Sequence, residues 1–308
     1  MTRFGYLGPE GTFTSMALDD WGPAAGADRT AYGSVDAALA ALRAGDIDGA
    51  MVPIENSVEG GVSATLDALS VGSDVVITGE VLVPVTFVLA ARPGTRLEDI
   101  RAVGTHPHGW AQVRTWMNAN LPSAVYLTTL STAAAAADLD LAAGDVTAYQ
   151  AAVCAPVAAT IHGLEVLAED IGDNGRAVTR FALVARPGHT PPPTGADKTT
   201  LVLYQRDDHP GGLLELLEQF AARGVNMTRL ESRPTGEAMG SYCFSIDIEG
   251  HVADARVAET LMGLRRVCAQ VRYLGSYARA DGRPTTPMVG TSDAEFDDAR
   301  QWLEGLRG

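Results

Sequence analysis

Cysteine is scarce in this chain: Cys154, Cys243 and Cys268 are the three present, far apart and with no CxxC pair. That spacing excludes a disulfide framework and leaves small core thiols in a cytoplasmic protein as the expectation. Long apolar runs are missing as well. The strongest, VLVPVTFVLAA at 81–91, is too short to span a bilayer and contains Pro84, so no membrane partner is expected. The opening MTRFGYLGPEG reaches a strand-like segment almost at once, which predicts a chain without a signal peptide. Positive charge is in deficit, with 23 Lys and Arg against 38 Asp and Glu, a net charge of −15. Nucleic acid and anionic membrane both need a basic surface, so neither is expected as a partner. GxGxxG, Walker, Ser-His-Asp and Cys-His signatures are absent, and no cofactor is suggested. His106 and His108 stand two apart without a third ligand at a familiar spacing, so no metal site is expected.

What is present is a chain of 308 residues, 46% hydrophobic, long enough for two or three cores. Strand and helix patterns alternate in the first part: RFGYLG, SVDAALAALRAG and IDGAMVPI, then RAVGTHP, AVYLTTL, DVTAY and FALVA between Ala- and Leu-rich helical pieces. Such alternation predicts an α/β fold with largely parallel sheets. STAAAAADLDLAAG reads as a helix stopped by Gly144, because alanine is the best helix former. The segment ARPGHTPPPTGADKTT at 185–200 reads as a linker. After it the order is βαββαβ, the ferredoxin-like arrangement, with an amphipathic helix carrying Leu213, Leu214, Leu217 and Phe220 on its apolar side. The predicted domains are 1–190, with a second lobe over about 80–165, then 198–280, and a tail at 281–308 holding one short helix.

Four stretches carry chemistry. GPEGTFT (8–14) sits between a strand and a helix, where backbone amides can hold an anion or simply turn the chain. PIENS ends a buried strand with Glu55, Asn56 and Ser57; helix capping would satisfy one of these groups but hardly all three. THPHGWAQ (105–112) would point Thr105 and nearby amides at a ligand, with Gln112 one or two turns further along. NGRAVTRFALVA brings Thr179 and Arg180 to the start of an apolar strand, where the guanidinium fork suits a carboxylate.

Taken in order, GYLGPEGTFT, VPIENSVEG and TRF resemble the prephenate dehydratase family, and PGGLLELL with GVNMTRLESRP resembles its ACT regulatory domain. The likeness is collinear from about 4 to about 278. There are two departures. Gly212 stands where the family's effector motif reads Gly-Ala-Leu, and many relatives carry Ser before the His of THPHGWAQ and a Gln-rich segment after it.

The resemblance implies a two-lobed α/β catalytic part shaped like a type II periplasmic binding protein, plus an α+β ACT domain. It implies that prephenate loses CO2 and water to give phenylpyruvate, without a cofactor, and that L-phenylalanine acts as effector on a homodimer or homotetramer. Thr179 and Glu55 would be catalytic, with either one supplying the proton for the leaving hydroxide. Asn56, Ser57, Thr12, Thr105, Gln112, Arg180 and Phe181 would bind substrate, with Arg180 holding a carboxylate or orienting Thr179. Gly212, Leu213, Asn226, Leu230, Glu231 and Ser232 would bind the effector. Arogenate dehydratase, and a non-catalytic amino-acid sensor, are the alternatives.

Overall fold

The computed structural model describes residues 2–71, 75–140, 147–188, 190–235 and 242–307. The first strands, β1 (Arg3–Leu7), β2 (Asp28–Tyr32) and β3 (Gly49–Asn56), are joined through helices α1 (Phe13–Asp20) and α2 (Val35–Ala44). Both connections are right for parallel pairing, and β1 is indeed parallel to β2 and to β3. The ends of α2 are written in the sequence. Ser34 accepts from the Ala37 N–H at 3.1 Å, and Gly45 closes the helix with a left-handed φ of 84°. Ser34→Ala is expected to cost about 1 kcal/mol, read as a lower urea midpoint at unchanged slope.

After the short β4 (Gly60–Gly61) and helix α3 (Ser63–Ser70), β5 (Val76–Pro84) leads to a second sheet. Its strands are β6 (Val88–Ala91), β7 (Ala102–Thr105), β8 (Val125–Thr128), β9 (Ala151–Cys154) and β10 (Glu165–Ala168), ordered β10-β6-β9-β7-β8. Helices α4 (Pro107–Ala111), α5 (Arg114–Asn120), α6 (Thr132–Ala137) and α7 (Pro156–Ile161) fall between these strands. Strand β11 (Val178–Ala185) returns to the first sheet, whose order is β2-β1-β3-β11-β5. Val103, Val113, Met117 and Val153 pack with Phe87 and Leu89 in the second sheet's core. Of the strand expected at DVTAY, residues 145–146 lie outside the described residues. Residues 147–149 are not strand, and pairing begins at Ala151, where the small apolar run fits between β6 and β7. Gly144, expected to stop α6, lies outside the described residues.

The last sheet has β12 (Asp197–Tyr204), β13 (Met227–Pro234), β14 (Tyr242–Glu249) and β15 (Gln270–Ala278) in the order β13-β14-β12-β15, antiparallel where register is resolved. With α8 (Gly212–Ala221) and α9 (Ala255–Val267) this is the ferredoxin-like unit, followed by α10 (Asp293–Arg307). The turn expected between β13 and β14 lies outside the described residues. The helices cover Leu201, Leu203, Ile246 and Ile248 on one face. The buried side of α8 is Leu216 and Phe220, four apart, whereas Leu213 and Leu214 are exposed, so its apolar pattern serves a surface as well as a core.

Alternate positions put polar groups on the sheet's other face. Asp247, fully buried, accepts from Thr200 Oγ1 at 2.7 Å and from Arg229 Nε at 2.9 Å. Contacts divide the chain into two compact units, Met1–Gly60 with Val81–Phe181, and Gly61–Glu80 with Ala182–Gly308. Residues 61–80 thus belong with the C-terminal sheet. Arg233 makes a bidentate pair with Asp67 (2.9 and 2.8 Å), Arg272 Nη1 donates to the Ser70 carbonyl (3.0 Å), and Lys198 Nζ reaches both oxygens of Glu80 (3.0 and 2.8 Å). Among the described residues no helix is long and apolar enough to cross a membrane.

Candidate active site

The polar end of β3 is shaped by one turn of chain. Asn56 Oδ1 accepts from the backbone N–H of Val58 (2.8 Å) and of Glu59 (3.2 Å). Two backbone donors on one atom identify it as the oxygen, which fixes the amide's orientation. Its other end, Nδ2, donates to Thr179 Oγ1 at 2.8 Å. PIENS and TRF are therefore side by side although these two residues are 123 positions apart. Ser57 secures the junction: its N–H donates to the Val178 carbonyl and its Oγ accepts from the Val178 N–H, each at 2.9 Å. Arg180, buried next to Thr179, places Nε 3.7 Å from Oε2 of Glu55, a half-exposed carboxylate.

The second sheet supplies the facing groups. His106 caps α4, its Nδ1 accepting from the His108 N–H at 3.3 Å. Burial, and then the neighbouring His108, push the His106 imidazole below its ordinary pKa, with Glu59 opposing. A neutral ring is what an accepting Nδ1 requires. The His108 ring stacks on it with centroids 5.0 Å apart. Glu59, from the turn after β3, joins the two sheets: Oε2 meets His108 Nδ1 and Oε1 accepts from Gln112 Nε2 at 3.1 Å.

The remaining candidates hold the frame. Thr12 caps α1, accepting from the Ser15 N–H and donating to the Leu7 and Pro9 carbonyls. Thr105 is fully buried, its hydroxyl donating to the Val153 carbonyl at 2.8 Å. Phe181 is a core residue, 1% exposed. Short hydroxyls at strand and helix ends are readily satisfied by nearby backbone, and Thr12 and Thr105 are used that way. Among the described residues no cluster of three or more His, Cys, Asp or Glu is placed to hold a metal ion.

In the C-terminal unit, Gly211 enters α8 with φ 91° and Gly212 is buried. A Cβ on Gly212 would lie 2.8 Å from Gln205 Nε2 and 3.2 Å from the His209 ring, so glycine here makes room for those two side chains. A cavity of about 390 Å³ opens at this helix start, lined by Gln205, Arg206, His209, Gly212, Glu215 and Arg266 among others. Leu230 and Ser232 are exposed on β13, an edge strand, and Asn226 is exposed just before it. Glu231 lies against Gly61, where a Cβ would come within 1.9 Å of its Oε2.

Residues 4–189 match the family model described as prephenate dehydratase, and residues 199–266 match that of the ACT domain. The chain belongs to the prephenate dehydratase family. It is 45% identical to the prephenate dehydratase of Mycolicibacterium vanbaalenii, with 100% of this chain and 99% of that one aligned. The crystal structure of prephenate dehydratase from Arthrobacter aurescens in complex with L-Phe is similar at TM-score 0.94 and 54% identity, covering 100% of both chains. GqqA, described as a novel type of quorum quenching acylase, is similar at TM-score 0.77 and 30% identity, covering 91% of this chain and 100% of that one.

In this member of the prephenate dehydratase family, the structure brings together Glu55, Asn56, Thr179 and Arg180 by side chain, and Ser57 through its N–H and hydroxyl on the Val178 backbone. It places Gln112 on Glu59. Glu59 and His108 join the candidate site, although motif reading weighed His108 only as a metal ligand and gave Glu59 no place in the site. The sequence signal was there, in a charged VEG immediately after PIENS and in a histidine pair with no third metal ligand.

Proposed function

We propose that this enzyme converts prephenate to phenylpyruvate, CO2 and water, with Thr179 as the donor to the departing hydroxyl. In that reaction the ring carboxylate leaves as CO2, its bonding electrons enter the ring, and the ring C–O bond breaks. The expelled hydroxide takes up one proton, and aromatisation drives both cleavages. The observation that carries the assignment is the bond from Asn56 Nδ2 into Thr179 Oγ1. An oxygen that accepts a hydrogen bond makes a stronger donor of its own O–H.

Glu55 is engaged by Arg180, so proton donation falls to Thr179, while Glu55 and Arg180 orient it and receive the substrate. Asn56 and Gln112 offer amides to substrate oxygens, and Ser57, Thr12, Thr105 and Phe181 support the elements that carry them. Glu55→Gln is expected to lower turnover on the order of tenfold through misplacement of Arg180 and Thr179. Its melting temperature should stay within about 2 °C of wild type, which a purely structural role for the pair would not allow. Release of phenylpyruvate, followed by its ultraviolet absorbance with prephenate and arogenate in parallel, tests the whole reading. Turnover of arogenate alone would replace the substrate, and turnover of neither would end the proposal.

Phenylalanine is proposed as the effector of the ACT unit in a cytoplasmic homodimer or homotetramer. An α-amino acid needs donors for its carboxylate, acceptors for its ammonium group and an apolar seat for its ring. Backbone amides at Gly212 and Leu213, the side-chain oxygen of Asn226, and Leu213 with Leu230 supply these, and Glu231 and Ser232 complete the set. Exposed Leu230 on the edge strand β13, and exposed Leu213 and Leu214 on α8, suit pairing with a second copy.

A further inference from the structure

We propose that Glu59 is an internal stand-in for a substrate carboxylate, holding His108 and Gln112 until the substrate displaces it. The inference rests on the reading of prephenate, a dicarboxylate, as substrate. The second sheet offers two side-chain groups converging on one point, the His108 Nδ1 and the Gln112 Nε2, and both rest on the single carboxylate of Glu59. A ring nitrogen and an amide on the two oxygens of one carboxylate are the recognition set that an anionic substrate group needs. Glu59 hangs from the turn that fixes Asn56, because its own N–H is one of the two donors on Asn56 Oδ1. Thr179, Asn56, Glu59 and the His108–Gln112 pair therefore form one connected run of hydrogen bonds.

Displacement is feasible because the pair is exposed. The His108 side chain is 67% accessible and that of Glu59 30%, and exposed ion pairs contribute little free energy. Retention is unfavourable once substrate is present, since Glu59 would face a second carboxylate at short range with Arg180 already beside Glu55. His108 thereby becomes a substrate-binding residue, and Glu59 a residue that tunes affinity by competing for the same partners.

Steady-state kinetics with prephenate test this through the split between KM and kcat. Glu59→Gln keeps the shape, removes the competing charge and should lower KM by about threefold or more with kcat within about twofold. Glu59→Ser, which removes carboxylate and reach together, should move KM the same way. His108→Asn should raise KM by about threefold or more, with kcat again little changed. A rise in KM or a collapse of kcat in both Glu59 variants would mean that Glu59 positions Gln112 for catalysis, and would overturn the proposal. So would an unchanged KM in His108→Asn. Wild-type protein that turns over no prephenate would instead remove the substrate reading, and this inference with it.

Discussion

Thr179→Ala is expected to lower kcat by about a hundredfold or more, with a smaller change in KM. The size follows from what the hydroxyl does: departure of hydroxide from a carbon is slow unless a donor meets the oxygen as it leaves. Thr179 is 8% exposed and held by an amide whose orientation two backbone donors fix, so its oxygen is kept in place while the O–H stays available to the leaving group. Thr179→Ser keeps the oxygen but loses the methyl that restricts χ1, and should retain more activity than alanine. Asn56→Ala should fall between the two, because it leaves the hydroxyl in place but unpolarised and free to rotate. Single-turnover measurement of phenylpyruvate release separates these effects from substrate binding. An alanine variant with near-normal turnover would remove Thr179 from the chemistry and return attention to Glu55.

PIENS and TRF were each legible as candidate site stretches because their polar residues interrupt an apolar strand pattern, whereas their placement together came only from the family resemblance. The βαββαβ order was legible for a similar reason, since periodicity switches cleanly between 2 and 3.6 in that region. Periodicity is silent about which distant polar groups meet. Thr12 and Thr105 look like ligand-facing hydroxyls in a motif, yet their acceptors, the Leu7, Pro9 and Val153 carbonyls, are set by local turns and by strand neighbours that no pattern encodes. Glu59 reaches partners 49 and 53 positions away, and His108, weighed alone, looked like an incomplete metal site. Residues 61–80 read as part of the first sheet's connections. Their anchors, Lys198, Arg233 and Arg272, lie 118 to 202 positions further on, and polar contacts at that separation leave no local trace.

If phenylalanine binds at β13 as proposed above, residues 61–80 are its expected path to the strand that carries Asn56, and Asp67→Ala is expected to cut it. Glu231, Ser232 and Arg233 are consecutive on β13. Glu231 lies on the backbone of Gly61, and Arg233 grips Asp67 on α3 through both oxygens. In the chain, Gly61 is two residues past Glu59 and five past Asn56, so the path expected for such a signal is a short covalent one. Deleting everything from 198 onward is a poor test of this route. It would leave Glu80, buried and bound by Lys198, without its counter-charge, at a cost of about 3–5 kcal/mol. Asp67→Ala removes only the exposed end of the Arg233 pair. Phenylalanine should still bind, with a calorimetric Kd within about threefold of wild type, because the proposed effector residues Gly212, Leu213, Asn226 and Leu230 are untouched. Its effect on prephenate turnover, on the order of 5–150-fold for typical allosteric coupling, should fall toward none. Reciprocity adds a second readout: in wild type a substrate analogue shifts the phenylalanine Kd by the same factor as phenylalanine shifts the analogue's, and in Asp67→Ala that shift should vanish too. Full retention of both couplings would show that the signal leaves β13 by another path.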